Sequence, residues 1–341
     1  MSELRRDPLT GVWTIYAPAR QDRPADFTPA NSAPRLADEA DCVFCPGHEE
    51  RTPPEVWSAV AADDAAAGLA WTVRVVPNLF PALDTAAEAD GIRPIEAPGP
   101  YDGSSGFGGH EVVVETPRHA EGLADFSPAH ARLVVDAFAA RLAHWRDDGR
   151  TACAVLFRNQ GSLSGASLAH AHTQLIALPR VPDAIAREIG NLSTYADANP
   201  GRCLLCDMAR SDAEGGLAVY DDGVTRVLSP WAATSPYLLR VVPHACATTF
   251  ASASAGQLDS LALALTSAAR GFRDALGDPS FNLVAHTAPF SVERTGVLPF
   301  HWHIDLVPRF SCSAGFEVGT GMGINSTGPV RAAELLRSVI M

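Results

Sequence analysis

The stretch Asn159-Gln160-Gly161-Ser162-Leu163-Ser164-Gly165-Ala166-Ser167-Leu168-Ala169-His170-Ala171-His172-Thr173-Gln174 decides how the rest of the chain is read. Its first part is polar and rich in glycine and serine, so it reads as a loop able to offer backbone N–H groups and hydroxyls to phosphate oxygens. His170, His172 and Gln174 then follow at intervals of two. On a β-strand that spacing puts all three on one face. A lone His-x-His is more often a pair of satisfied strand histidines, and a lone Gly/Ser loop is more often a plain hairpin connection. Their adjacency favours a site.

Working outward, the pattern recurs. A second His-x-His stands at His301-Trp302-His303, and a Cys-x-x-Cys precedes each pair, at Cys42–Cys45 and Cys203–Cys206. Between each Cys pair and its His pair, a β-rich run ends in another histidine, His119 in the first half and His244 in the second. A helix then follows in both. The first starts at Ser127-Pro128, with an N-cap and a first-turn proline, and runs to about Asp148 before Gly149. Val134, Phe138 and Leu142 fall on one of its faces. The second runs from about Gly256 to Leu276, with Leu258, Leu261 and Leu265 on one stripe and Gly277 as the stop. Each helix leads into a β run, Ala154 to Phe157 and Phe281 to Ala285. Two divergent copies of one α+β unit explain this order. The expected units are residues 1–190 and 191–341, with the break in the polar stretch Asn191 to Arg202.

Composition narrows the chemistry. The chain has 341 residues, 47% hydrophobic and 19% charged, which excludes disorder as its main state. A net charge of −13 disfavours a general nucleic-acid binder, because phosphate contacts need basic surface. All 26 basic residues are arginine. Without lysine there is no lysine-dependent phosphate loop and no Schiff-base chemistry. No apolar run is long enough to span a bilayer, and Met1 to Gly11 lacks the apolar core of a signal peptide, so a cytoplasmic protein is expected. In a reducing compartment, ordered cysteine pairs suggest metal before disulfide.

A Cys-x-x-Cys turn brings two thiolates together, and two distant histidines complete a closed tetrahedral site. The expected first zinc site is Cys42, Cys45, His119 and His170; the second is Cys203, Cys206, His244 and His301. Both are structural, with no open coordination position. A metal on His170 fixes the strand beside His172. If one nitrogen of His172 bonds a backbone carbonyl, the other is a free nucleophile. Gln174, on the same face, can donate to a phosphate oxygen as charge builds there. His48, His110, His130 and His144 read as surface or packing residues, and Cys153, Cys246 and Cys312 as inert. His286 reads as a core histidine. His303 and Asp305 mirror His172 and Gln174, but no Gly/Ser loop precedes them, so His303 is not expected to be a nucleophile.

With these residues in view, Asn159 to Gln174 resembles the active-site segment of the galactose-1-phosphate uridylyltransferase family, the transferase branch of the histidine-triad superfamily, whose hallmark is His-x-His-x-Gln. The resemblance covers nearly the whole chain. Leu9 to Trp13 and Arg20 to Pro24 resemble its N-terminal segment, Cys42 to Glu55 its zinc-binding start, Pro77 to Leu83 its nucleoside-pocket segment and Gly315 to Gly321 its sugar-side segment. It implies an α+β fold of two tandem histidine-triad-like units, each an antiparallel sheet with packed helices. It implies ping-pong nucleotidyl transfer between a nucleoside diphosphate sugar and a sugar 1-phosphate through a nucleotidyl-His172, and a homodimer with shared active sites. Asn159, Gly165, Ala166, Ser167 and Gln174 match phosphate-holding positions, Asn78 a nucleoside contact, Arg20 and Arg23 phosphate or sugar contacts, and Phe316 and Glu317 the sugar side. In some relatives the counterpart of His286 and the second His pair bind iron with a glutamate; the local Cys-x-x-Cys favours zinc here.

The sequence departs from that pattern in places. Asn78-Leu79 stands where Asn-Asp is common, Ser311-Cys312-Ser313 occupies a region that usually carries a lysine, and Gly323 replaces a bulky residue. A second Cys-x-x-Cys is typical of a branch that includes plant ADP-glucose phosphorylase-like proteins. The first expectation is therefore a UDP-glucose:galactose-1-phosphate uridylyltransferase, and the alternative an ADP-sugar phosphorylase or a nucleotidyl transfer in specialised metabolism. A catalytically dead zinc-stabilised binding module is the third reading, and intact His172 and Gln174 argue against it.

Overall fold

A computed structural model of the chain describes residues 2–22, 39–85, 93–295, 300–312 and 314–340. The first half contributes β1 (Glu3–Arg6), β2 (Trp13–Tyr16), β3 (Trp57–Ala59), α1 (Ala62–Ala66), β4 (Val73–Pro77), β5 (Gly109–Val114), α2 (Pro128–Asp148), β6 (Cys153–Gln160) and β7 (His172–Leu178). After α3 (Asp183–Ala198) come α4 (Leu204–Glu214), β8 (Ala218–Asp221), β9 (Thr225–Leu228), β10 (Leu239–Pro243), α5 (Ala255–Leu276), β11 (Ser280–His286), α6 (Phe290–Thr295) and β12 (His303–Arg309). The chain ends with α7 (Gly315–Thr320), β13 (Gly323–Asn325) and α8 (Pro329–Arg337). None of the described helices is long and apolar enough to cross a membrane.

The two long helices form where their ends are written. Ser127 caps α2 by accepting from the His130 N–H, and Gly149 ends it in the left-handed region at φ 76°. Ser254 and Gln257 make a reciprocal capping box at the start of α5, and Gly277 ends that helix at φ 75°. The buried faces include Val134, Phe138, Leu142 and Trp145 on α2 and Leu258, Leu261 and Leu265 on α5. Burial of each of the larger side chains contributes roughly 1.5–3 kcal/mol.

Ten described strands form one sheet in the order β3-β4-β5-β7-β6-β11-β12-β10-β9-β8, and every neighbouring pair is antiparallel. Outward from its centre, β6-β7-β5-β4-β3 on one side answers β11-β12-β10-β9-β8 on the other. The repeat seen in the sequence is thus a repeat of strand order. The two half-sheets fuse where β6 pairs with β11, from Phe281 opposite Gln160 to Ala285 opposite Leu156. A smaller sheet, β1-β2-β13, joins the two chain ends, with β13 parallel to β2.

The polar stretch Asn191 to Arg202, expected as the break, is helical through Ala198. Ser193 and Thr194 satisfy their hydroxyls on the carbonyls of Ile189 and Gly190, four residues back, while Leu192 and Glu188 are buried. Polar composition here marks one face of a helix rather than a linker.

Alternation sorts the sheet's two faces. On β5, Glu111 and Val113 point to α2, where Glu111 takes a bidentate contact from Arg141 (2.8 and 2.6 Å) and a bond from the Trp145 indole (3.1 Å). His110, Val112 and Val114 point the other way. There Val112 and Val114 join Cys42, Phe44, Cys45, Trp71 and Val76 in a second, smaller core. The candidate site lies on this face.

Candidate active site and metal centres

His172 opens β7, paired with Val114 at the end of β5, and His170 stands two residues before it. The first Cys/His set assembles as expected: the ligating atoms of Cys42, Cys45, His119 and His170 all lie within 4.8 Å of one another. His170 Nδ1 is 3.5 Å from Cys42 Sγ and 3.6 Å from Cys45 Sγ, and His119 Nδ1 is 3.4 Å from Cys45 Sγ. Metal–ligand lengths of about 2.3 Å to sulfur and 2.0 Å to nitrogen give a tetrahedral S···N edge of about 3.5 Å, so the donor set fits zinc. His170 Nε2 donates to the Thr116 carbonyl at 2.7 Å, which leaves Nδ1 as the lone-pair nitrogen facing the thiols. Burial, with the Cys42 thiol beside it, pushes Cys45 up to about 12; a bound cation would replace that proton.

His172 is buried, and its Nδ1 lies 2.8 Å from the His170 carbonyl. A carbonyl can only accept, so Nδ1 carries the proton and Nε2 carries the lone pair. Nε2 has no hydrogen-bond partner among the described residues. Burial also pulls the ring below the ordinary histidine range, which favours the neutral, nucleophilic form. Phe44, between the two cysteines, packs on the ring at a centroid distance of 5.5 Å. The cysteine turn therefore holds the His172 ring twice, through Phe44 and through His170.

The preceding loop is held from the other half of the chain. A Cβ on Gly161 would come 2.3 Å from Ser280 Oγ, and at φ 79° glycine is required there. Leu163 N–H donates to Ser280 Oγ, and Asn282 Nδ2 donates to the Ser164 carbonyl (2.9 Å) and to Asn159 Oδ1 (2.7 Å). Arg309 Nε in turn donates to Asn282 Oδ1 at 2.6 Å. Gly165 takes φ 86°, and Ala166 and Ser167 lie in the open turn that follows, with Ser167 exposed.

Other expected residues fall elsewhere. Arg20 is exposed on a short 3-10 turn, Pro18–Asp22, and Arg23 lies outside the described residues. Phe316 is exposed on α7. Glu317 lines a cavity of about 540 Å³ with Val12, Thr234, Arg309, Phe310 and Gly323, and its Oε2 is buried without a partner. His172 and Gln174 do not line that cavity.

Asn78 does reach the neighbourhood of Gln174, and so does a histidine expected to be a surface or packing residue. His110 Nε2 is 2.9 Å from Gln174 Oε1 and 3.2 Å from Asn78 Nδ2. The signal available in the sequence was its parity: His110 is an even-numbered β5 residue, on the face of Val112 and Val114. The register that sets Gln174 opposite Val112, one step away, is not written locally.

The second Cys/His set needs a correction. Cys203, Cys206 and His301 converge, with Sγ to His301 Nδ1 distances of 3.7 and 3.3 Å, but the fourth member is Cys246, not His244. His244 follows Pro243 directly and turns to Asp221, with Nε2 at 2.8 Å from Oδ1. In the first half the ligand stands two residues after Pro117; here Cys246 stands three after Pro243, past the turn. Cys246, expected to be inert, is thus drawn into this group. The distances again match a tetrahedral zinc edge.

His303, the mirror of His172, is enclosed. It is buried, stacks on His286 at 4.3 Å, and its Nε2 has no partner. His286 is not merely a packed core residue: it meets Glu188 of α3 at 3.1 Å, and Glu188, His286 and His303 form a third group able to hold a metal. The second His pair is thus divided, His301 facing the cysteines and His303 facing Glu188 and His286. Asp305, in the place of Gln174, is locked by Arg240 at 2.8 and 2.9 Å, which holds its carboxyl far below the usual range despite burial.

Fold and site together are those of a nucleotidyltransferase. The chain belongs to the galactose-1-phosphate uridyl transferase family, whose N-terminal domain model matches residues 1–182. An ADP-glucose phosphorylase from Arabidopsis thaliana is 32% identical over 341 residues, 99% of this chain and 93% of that protein. A galactose-1-phosphate uridylyltransferase from Thermotoga maritima is 26% identical over 345 residues, 99% of this chain and 98% of that protein. Among solved structures, an ADP-glucose phosphorylase from Arabidopsis thaliana with bound ADP-glucose matches with a TM-score of 0.85 at 30% identity, covering 100% of both chains.

Proposed function

We propose that the protein moves a nucleotidyl group from an ADP-sugar to inorganic phosphate by way of a nucleotidyl-histidine at His172. The observation that carries this reading is the His172 ring itself, with Nδ1–H on the His170 carbonyl and Nε2 without a partner. Nε2 attacks the α-phosphorus, the bond from that phosphorus to the bridging oxygen breaks, and the sugar 1-phosphate leaves. A phosphate oxygen then attacks the same phosphorus, the P–N bond breaks, and the nucleoside diphosphate departs with His172 neutral again. The carbonyl on Nδ1–H stabilises the positive ring formed in between. Gln174 and Asn159 supply amide donors to the phosphate oxygens, the loop through Gly165, Ala166 and Ser167 supplies N–H groups, and Asn78 meets the nucleoside.

The adenylyl reading stands ahead of the uridylyl one because identity to the ADP-glucose phosphorylase exceeds identity to the uridylyltransferase over equal coverage, and because Asn78-Leu79 departs from Asn-Asp. Transfer from UDP-glucose to galactose 1-phosphate is the second reading, favoured by the Thermotoga relative. Incubation with α-labelled ADP-glucose is expected to leave an acid-labile label on the protein, displaced by phosphate. Labelling by UDP-glucose alone would move the assignment to the uridylyltransferase; labelling by neither would reject covalent transfer.

The Cys/His groups would hold two structural zinc ions, and residues 1–190 and 191–341 would be the catalytic and supporting units of one duplicated ancestor. Arg20, Arg23, Phe316 and Glu317 would serve a site completed in a homodimer, which is supported by Glu317 lining a cavity that His172 does not line. Replacing Cys246 with serine is expected to lower zinc from two to about one per chain, while His244→Ala leaves two. Metal analysis giving the opposite pattern would restore His244 as the ligand.

A further inference from the structure

Two backbone N–H groups fix the hydrogen-bond roles of side chains in this cleft, and a backbone N–H can only donate. Ala82 N–H donates to His110 Nδ1 at 3.1 Å, so Nδ1 carries a lone pair and the ring proton lies on Nε2. That Nε2–H faces Gln174 Oε1 at 2.9 Å. With Oε1 engaged as acceptor, the Gln174 NH2 group is turned to the opposite side, and among the described residues it has no partner. Phe80 N–H donates to Asn78 Oδ1 at 2.9 Å and fixes that amide in the same way. The Asn78 NH2 group lies 3.2 Å from His110 Nε2, which carries a proton and cannot accept. Both amides are left with unspent donors.

We propose that His110 is a positioning residue for nucleotidyl transfer: its Nε2–H holds the Gln174 amide so that the NH2 end faces the phosphate attacked by His172. This rests on the roles of His172 and Gln174 given above. The two ends of an amide have nearly the same shape, so packing alone does not choose between them. The wrong choice would present oxygen lone pairs to an anionic phosphate, while the right choice presents donors already aimed at developing charge. Cross-strand geometry makes the contact possible, since His110 on β5 sits diagonally from Gln174 on β7.

The test compares His110→Phe, which keeps a ring and removes the donor, with His110→Gln, which returns an NH2 near the Nε2 position. Single-turnover labelling by ADP-glucose or UDP-glucose, whichever labels the wild type, is expected to slow roughly 10- to 100-fold in His110→Phe, with ligand affinity nearly unchanged, and to recover most of that in His110→Gln. In a Gln174→Ala background His110→Phe is expected to add nothing. Long-range ¹⁵N–¹H spectra of histidine-labelled protein are expected to show the Nε2–H tautomer for a signal lost in His110→Gln. The Nδ1–H tautomer, equal slowing in both variants, or full additivity with Gln174→Ala would overturn the assignment of His110 alone. A wild type that takes no label overturns it together with the covalent mechanism, and that result is seen before any variant is made.

Discussion

Replacement of His172 by alanine is expected to lower exchange of label between sugar 1-phosphate and nucleotide sugar by ~10⁴-fold or more, about 5 kcal/mol of lost transition-state stabilisation. The fold should survive. The ring's structural ties are one hydrogen bond to the His170 carbonyl and contact with Phe44, worth together on the order of 1–2 kcal/mol. The split between a large kinetic loss and a small thermal one separates a nucleophile from a packing residue. It is read by measuring exchange and melting on the same preparation. An alanine variant that exchanges within tenfold of the wild type would remove His172 from the reaction.

Replacement of Cys42 by alanine is expected to act in the opposite proportion, on stability first. Structural zinc in small domains contributes ~10–16 kcal/mol of apparent binding, against total stabilities of ~5–15 kcal/mol. Loss of one ligand from the Cys42, Cys45, His119 and His170 group should therefore cost several kcal/mol and lower Tm by ~10 °C or more. Zinc content should fall from two to about one per chain. Activity should fall too, because His170 presents the carbonyl that orients His172 and the cysteine turn carries Phe44. A chelator should shift the wild-type Tm downward and leave the variant less affected. Unchanged Tm and zinc content in Cys42→Ala would reject this group as a metal site.

Much of this was legible from residue order because the chain repeats itself. Ser127, Gly149 and Gly277 mark helix ends in their own local chemistry, and the intervals of two in His170, His172 and Gln174 give a strand face. What was not legible depends on register and turns. The chain leaves β10 through a turn that carries His244 to Asp221 and brings Cys246 to the metal group, and a one-residue difference in that turn exchanges the two. His110 reaches Gln174 only because β5 and β7 pair in one particular register. Glu188 meets His286 from α3, whose later part, Asn191 to Ala198, looked like a linker because its polar face was read without its buried one.

The junction of β6 with β11 carries a consequence for the chain as a whole. Each half, parted from the other, would offer a bare strand edge to any passing β-structure, the usual route to aggregation. Covalent tandem arrangement hides both edges permanently. One half keeps an open imidazole; the other has closed its own beneath His286 and Glu188 and lends Asn282 to its neighbour. The mirrored strand order thereby sets one exposed-edge problem against the other and solves both within a single polypeptide.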